Sequence, residues 1–185
     1  MKTDKAFLEI DGKTFLSRAA ETLSTICENQ IKIVLNQTQT HFVERLPAAV
    51  SHIYDAYKNR GAPGGIHAAL KDCETKYAII LAVDLPLVTG EAIARLKQIA
   101  LESNEFSAVV PVQTDGRLQP LCAVYRAKDC LPVLENFLSE TTSASVRDFL
   151  KLVPIYCIEQ KDLLNDKNLL LNVNNPNDFV EVTNL

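Results

Sequence analysis

The stretch Tyr77-Ala78-Ile79-Ile80-Leu81-Ala82-Val83-Asp84-Leu85-Pro86-Leu87-Val88-Thr89 decides the fold. Its apolar run, residues 77–83, has strand length and reads as a strand buried on both faces, as in a parallel sheet covered by helices. Asp84 then stands where that strand leaves the sheet. Pro86 has no N–H to offer a ladder, so pairing stops there. Thr89 reads as the N-cap of a helix opening near Glu91. In open α/β sheets, ligands gather at the carboxyl ends of the strands. A carboxylate at that place can hold a hard cation such as Mg²⁺ against a substrate phosphate. Asp84 would serve equally well as a cap on the loop before Thr89, and its position alone leaves both readings open.

Working outward, apolar residues at 15, 16, 19, 20, 23, 26 and 27 predict a helix over Phe15–Cys27 with Thr14 as its cap. Residues 31–35 and 51–55 read as short strands, and a short helix over 40–46 stops at Pro47. Gly61-Ala62-Pro63-Gly64-Gly65 reads as a loop with a helix, 66–71, directly behind it. Further strands are expected at 106–111, 121–125 and 153–158, with helices at 91–101, 129–138 and 145–152 and a last helix from Asn177. Strands alternating with helices predict a three-layer α/β fold, a mostly parallel sheet with helices on both faces. No repeat, low-complexity tract or linker interrupts it, so residues 1–185 read as a single domain.

Composition narrows the function. Of the 185 residues, 47% are hydrophobic and 23% charged, an ordinary globular balance. The net charge is −4 and no basic stripe appears, which argues against a nucleic-acid partner. No run reaches the length of a membrane span. Cysteines 27, 73, 122, 130 and 157 are dispersed without a CxxC pair, which points to reduced thiols and a cytoplasmic protein. His41, His52 and His67 have no ligand spacing, so zinc is not expected.

Chemistry concentrates in a few places. Lys5 is a mobile point charge suited to a phosphate, or an ordinary solvated lysine. Gly61, Gly64 and Gly65 could let backbone approach a nucleotide closely. Asp115-Gly116 reads as a turn, which leaves Arg117 and Gln119 without a structural reason. In Asn172-Val173-Asn174-Asn175-Pro176 the alternation puts two amides, Asn172 and Asn174, on one side of an extended segment.

The order of these pieces carries a resemblance. Asp-Lys-Ala at residues 4–6, a Gly-rich segment before a helix, Val-Asp-Leu-Pro, Gly-Arg-x-x-Pro-Leu and Asn-x-Asn-x-Pro together resemble the molybdenum cofactor guanylyltransferases. These are nucleotidyltransferases of the nucleotide-diphospho-sugar transferase-like, Rossmann-like fold. The resemblance runs from Thr3 to Phe179. It implies transfer of GMP from GTP to the molybdopterin cofactor. It implies Lys5 on the nucleotide phosphates, Asp84 on Mg²⁺ as catalytic metal ligand, and Gly61, Gly64 and Gly65 against the nucleotide. Asp55 falls near the base-binding acidic position, and Arg117, Asn172 and Asn174 fall toward the metal and the pterin. Relatives that transfer cytidylate look like Asp-x-Asp-x-Pro at the last motif, so the two asparagines favour guanylyl transfer. A cytidylyltransferase, another small-molecule nucleotidyltransferase of this fold, or a non-catalytic binding relative remain as alternatives. A homo-oligomer and contact with molybdoenzyme maturation proteins are the expected associations.

Family members carry a strand and a Leu-Ala-Gly-Gly-x-Ser-x-Arg-Met loop ahead of the Asp-Lys-Ala segment. Met1 stands where the last residue of that loop would be. The domain is therefore expected to be truncated at its N-terminus: an internal-start fragment of a longer protein, a sequence given without its upstream residues, or a degenerate relative. Segments next to the missing strand should be unpaired or repacked.

Overall fold

The computed structural model describes residues 4–27, 31–48, 50–141 and 145–185. A 3-10 turn at Lys5–Phe7 leads into a hairpin of β1 (Glu9–Ile10) and β2 (Lys13–Thr14). Its Asp11-Gly12 turn has φ of 54° and 74°. That is the mirror-image turn whose twist suits two tightly paired strands. Helix α1 (Phe15–Ser24) begins where Thr14 accepts a hydrogen bond from the Ser17 N–H, and it ends three residues before the expected Cys27. Strands β3 (Lys32–Leu35) and β4 (Ser51–Tyr54) pair in parallel, with a 3-10 turn at Thr40–Arg45 between them.

Helix α2 (Gly61–Asp72) corrects the sequence reading, because the expected loop 61–65 is its first turn. Gly61 opens it at φ 56°, and Pro63 costs no hydrogen bond so near a helix start. Strand β5 (Tyr77–Leu81) follows, then α3 (Gly90–Glu102), capped by Thr89 as expected. Strands β6 (Ala108–Val112) and β7 (Cys122–Arg126) precede α4 (Ala127–Glu140) and α5 (Val146–Leu150). Strand β8 (Ile155–Glu159), the short α6 (Gln160–Leu163) and α7 (Pro176–Thr183) complete the chain. Helix α7 opens on a capping box of Asn175 and Asp178.

The main sheet has the order β5-β7-β6-β8. It is mixed rather than mostly parallel: β7 runs antiparallel to both neighbours, while β6 and β8 are parallel. The cause is the connection 113–121, which turns at Gly116 (φ 81°) and holds no helix. A parallel return needs a crossover of a dozen or more residues. Helices do cover both faces. Ala108, Val110, Ala123 and Tyr125 face Leu134, Leu138 and Phe149 on one side. Val109, Cys122 and Val124 face Ile93, Leu96 and Leu163 on the other. The period of two in these strands assigns each residue its layer.

Strand β5 departs from expectation. None of its five residues is fully buried. Its ladder with β7 uses one edge, and among the described residues no strand pairs with the other. The Ala82 N–H bonds Leu121, and Lys76 accepts from Ala127. By the two-residue alternation, the backbone groups of Ile79 and Leu81 turn away from β7. In β3, Ile31 and Leu35 accept from Ser51 and Asp55 of the β4 side, so Lys32 and Val34 turn away from β4. These two open edges face a common cavity of about 900 Å³, lined by α1 residues Leu16, Ala19 and Leu23 and by Ile66 of α2. Leu35 and Val83 pack in one cluster with Ala6 and Phe7, so β3 and β5 point the same way.

This architecture makes the same substitution unequal in two places. Leu134 is fully buried, whereas Leu81 stands half-exposed beside the cavity. Leu134→Ala should destabilise the fold by about 2–5 kcal/mol, the range for a packed core leucine. Leu81→Ala should cost less, about 1–2 kcal/mol, because Leu81 packs on the α3 side but is only partly buried. Urea unfolding of both variants checks this, and equal losses would mean the cavity is closed in solution.

Candidate active site

The carboxyl end of β5 is where polar groups gather. After Leu81 the chain turns through residues 82–85, and the Val173 N–H bonds the Asp84 carbonyl at 2.9 Å. That one bond fixes the Asn-x-Asn segment beside Asp84. Val173 is fully buried, with Phe15 and Ile10. Its neighbours Asn172 and Asn174 therefore turn to the opposite side, as the alternation predicts. Asn174 Oδ1 accepts from Lys5 Nζ at 3.0 Å, and Asn172 Oδ1 accepts from Gln119 Nε2 at 2.6 Å. The Lys5 ammonium is carried there by the 3-10 turn that Asp4 caps.

Asp84 is half-buried, and its Oδ1 is buried without a hydrogen-bond partner. Burial pushes the carboxyl above its usual range, while Lys5 and the Asn172 side chain draw it part of the way back. A buried carboxylate oxygen without a partner is an unusual thing to leave inside a protein. Among the described residues no group of three or more His, Cys, Asp or Glu forms a metal cluster. Mg²⁺ commonly takes only one or two carboxylates and completes its shell with waters and substrate phosphates. A lone carboxylate such as Asp84 in the lining of the cavity fits that kind of site and does not fit an all-protein cage.

Two cavities meet at this point. The 900 Å³ cavity carries Asp4, Lys5, Asp84 and Asn174 at its polar end, and Gly65 also lines it. A second cavity of about 830 Å³ holds Arg117, Arg147, Lys167, Gln119, Asn172 and Asn174. Asn174 belongs to both. Each volume lies in the range of small-molecule sites.

The remaining expected residues divide. Gly64 is buried with the Asp55 carboxylate against it: a Cβ there would fall 2.5 Å from Asp55 Oδ2. Asp55 itself accepts from the Tyr57 N–H at 2.7 Å. Asp55 and Gly64 therefore form a local pair. Gly61 has open space around it. Arg117 lines the second cavity, but its guanidinium pairs with Asp115 at 2.6 Å. Arg147 and Lys167 were not singled out from the sequence, and among the described residues neither makes a salt bridge. Single cations in surface segments leave no spacing signal to find them by. Burial raises the Cys122 and Cys130 thiols to about 12, so neither serves as a nucleophile near neutral pH.

Comparison with known proteins bears on the family and the fold. The family model described as a MobA-like NTP transferase domain matches residues 1–158. A protein of Geobacillus sp. named "Probable molybdenum cofactor guanylyltransferase" is 28% identical over 179 residues, covering 96% of this chain and 89% of its own. The molybdenum cofactor guanylyltransferase of Desulfosudis oleivorans is 32% identical over 74% of this chain and 63% of its own. Among solved structures, molybdopterin-guanine dinucleotide biosynthesis protein A from Archaeoglobus fulgidus superposes with a TM-score of 0.81 at 20% identity, over 98% of this chain and 90% of that one. A 4-diphosphocytidyl-2C-methyl-D-erythritol synthase from Anaerococcus prevotii gives 0.71 at 12% identity, covering 95% and 87%. At these identities the two structures bear on the fold.

The raised carboxyl has a consequence for stability. A carboxyl whose folded pKa exceeds its unfolded one gains stability as pH falls, and its ionised form is a burden at neutral pH. Asp84→Asn should therefore raise the thermal midpoint at pH 7, by a margin that shrinks as the pH is lowered toward the ordinary carboxylate range. Thermal melts of the two proteins across that window check it, and a lower midpoint for Asp84→Asn at pH 7 would contradict the assignment.

Proposed function

The chain belongs to the MobA-like NTP transferase domain family, and from that premise we propose that it transfers GMP from GTP to the phosphate of the molybdopterin cofactor. An oxygen of the acceptor phosphate attacks the α-phosphorus, the bond from that phosphorus to the bridging oxygen breaks, and pyrophosphate leaves. The observation that carries this reading is the pair of cavities meeting at Asn174, with the orphaned Asp84 carboxylate and Lys5 at the polar end of one. The nucleotide takes the Lys5 side and the acceptor the Arg117 side, where Arg147 and Lys167 offer charge that is not paired among the described residues. Gly65 leaves room for backbone to lie near the nucleotide, and Gly64 with Asp55 shapes the wall behind it.

The Asp84 carboxylate would hold Mg²⁺, which would supply charge neutralisation at the phosphates. The chain's own groups do the rest by position. Lys5 holds the departing phosphates, and Asn174 keeps the Lys5 ammonium at the junction of the two cavities. Catalysis here is orientation and electrostatic complementarity rather than a covalent intermediate. The free cysteines suit a reducing compartment, and we assign the protein to the cytoplasm on that ground.

We also read residues 1–185 as one nucleotidyltransferase domain that takes one more strand. The open edges of β3 and β5, rather than the position of Met1, call for it. A strand between them, parallel to both, would leave the sheet at the end where Ala6 and Phe7 pack, next to Lys5 and Asp84. A turn there could present N–H groups to a triphosphate.

Two measurements bear on this. In a protein that releases pyrophosphate from GTP and the acceptor, Asp84→Asn should lower turnover by about a hundredfold or more, the scale for losing a principal charge at the reacting phosphates. GTP should outcompete CTP in the same assay, and equal use of the two would move the protein to the cytidylyl branch. Separately, adding about ten to fifteen residues ahead of Met1, one apolar strand and a glycine-rich turn, should tighten GTP·Mg²⁺ binding and raise the melting midpoint. Calorimetric titration reads the first effect. Tight binding by the 185-residue chain as it stands would show that no further strand is needed.

A further inference from the structure

Past the carboxyl ends of both β3 and β5, the chain places a polar residue in the wall of the 900 Å³ cavity. After β5 it is Asp84, and after β3 it is Gln39, which no sequence motif marks. Residues 36–39 close as a turn. The Gln39 N–H donates to the Asn36 carbonyl at 3.0 Å, and the Gln39 side-chain Oε1 accepts from the Asn36 N–H at 3.0 Å. Asn36 spends its own Oδ1 inside the turn, on the N–H and hydroxyl of Thr38. The Gln39 carbonyl accepts from the Phe42 N–H, and Phe42 is buried against Phe7. Phe7, Phe42 and Val83 share one apolar cluster, so a common core holds Lys5, Gln39 and Asp84 around one cavity.

A primary amide has one accepting arm and one donating arm. A backbone N–H only donates, so the arm of Gln39 that meets Asn36 is the oxygen. Nε2 is the arm left over, and it has no hydrogen-bond partner among the described residues. Turning the amide over would set two donors against each other. The turn therefore presents a donor of fixed identity.

We propose that Gln39 reads the base of the nucleotide: Nε2 donates to a ring carbonyl oxygen and so favours guanine over adenine and cytosine. The inference rests on the proposed transfer reaction, which puts the phosphates at Lys5 and Asp84. The acceptor takes the cavity on the other side of Asn174, so the base extends toward β3. Asp55, the acidic residue expected at the base, is turned on Tyr57 and Gly64 instead. Guanine offers a carbonyl where adenine offers an amino group, and cytosine also carries an exocyclic amino group. A fixed donor attracts the carbonyl and leaves the amino groups facing another donor.

The test reads binding and needs no turnover. Gln39→Glu keeps the bond from the Asn36 N–H but exchanges the free donor for an acceptor. Gln39→Leu removes both. Calorimetric titration of the full chain with GTP, ATP and CTP, each with Mg²⁺, should show GTP bound at least about tenfold more tightly than the others. Gln39→Glu should weaken GTP by about tenfold or more and weaken ATP and CTP by less than about threefold. Gln39→Leu should fall between parent and Gln39→Glu for GTP. If the side chain only braces the turn, Leu is the worse variant and all three nucleotides weaken alike, which overturns the proposal.

Two analogues fix the atom. Inosine triphosphate keeps the ring carbonyl and lacks the amino group of guanine, and 2-aminopurine riboside triphosphate is the reverse. Gln39→Glu should weaken the first as it weakens GTP and the second by less than about threefold. Equal losses for the two analogues overturn the contact. A parent that binds GTP and ATP alike overturns the proposal and leaves the transfer reading standing. A parent that prefers GTP, loses the preference in Gln39→Glu and yet never releases pyrophosphate upholds base reading and counts against transfer. A parent that binds none of the nucleotides overturns both.

Discussion

The antiparallel ladder from Tyr77–Leu81 to Cys122–Arg126 is the attachment on which the site depends. It holds β5 by one edge and hands the chain to Asp84 just past its end. It also brings residues 119–121 of the neighbouring connection alongside, so that Leu121 accepts from the Ala82 N–H. The segment 172–174 then docks on Asp84 through a single backbone bond, with Val173 buried beneath as its anchor. Three chain segments far apart in sequence thus meet around one carboxylate. Each is positioned by backbone pairing or core burial, so the polar side chains inherit their places from the apolar ones.

That arrangement has an electrostatic cost. A half-buried carboxylate with an unbonded oxygen is unfavourable unless something compensates it. Lys5 and Asn172 compensate in part. The remainder is the kind of local frustration that functional sites retain, because satisfying Asp84 within the protein would leave it nothing to bind with. Cys122 illustrates the contrast: it lies one strand away, fully buried and apolar in its surroundings, and its thiol is chemically silent.

The sequence was most legible where local chemistry and burial agree. Thr14 and Thr89 cap their helices as read, because a side-chain oxygen before an apolar-periodic run needs no tertiary information. The strands near 108–112, 122–126 and 155–159 followed from their apolar runs. Strand direction did not, because an apolar run looks the same in either ladder; the short connection 113–121 carried that information. The Asp11-Gly12 hairpin carries its signal in the dipeptide rather than in hydrophobic periodicity. In the site, Lys5 and Asp84 line one cavity, Asn172 the other, and Asn174 both. Arg117 reaches the second cavity already paired with Asp115, two residues away, a partner that sequence proximity alone could have named.

The burial of β5 is where sequence and structure part most instructively. Residues 77–83 have the composition of a central strand, yet Tyr77–Leu81 are half-exposed. Composition states what an element is suited to bury, whereas burial depends on what lies beside it. Here α1 and α2 supply side chains along the cavity but no ladder, and without water it takes a strand to satisfy the turned-out backbone of Ile79 and Leu81 on one side and Lys32 and Val34 on the other. A helix or a small apolar ligand could fill the volume, but it would leave those groups unpaired in a drier place than before, at a cost of about 1–3 kcal/mol for each buried group. The two open edges run in the same direction, so one strand can pair with both at once. The mismatch between the composition of β5 and its exposure therefore has a specific physical content: one strand between β3 and β5 would satisfy both open edges, and under the proposed function it would end beside the proposed phosphate site.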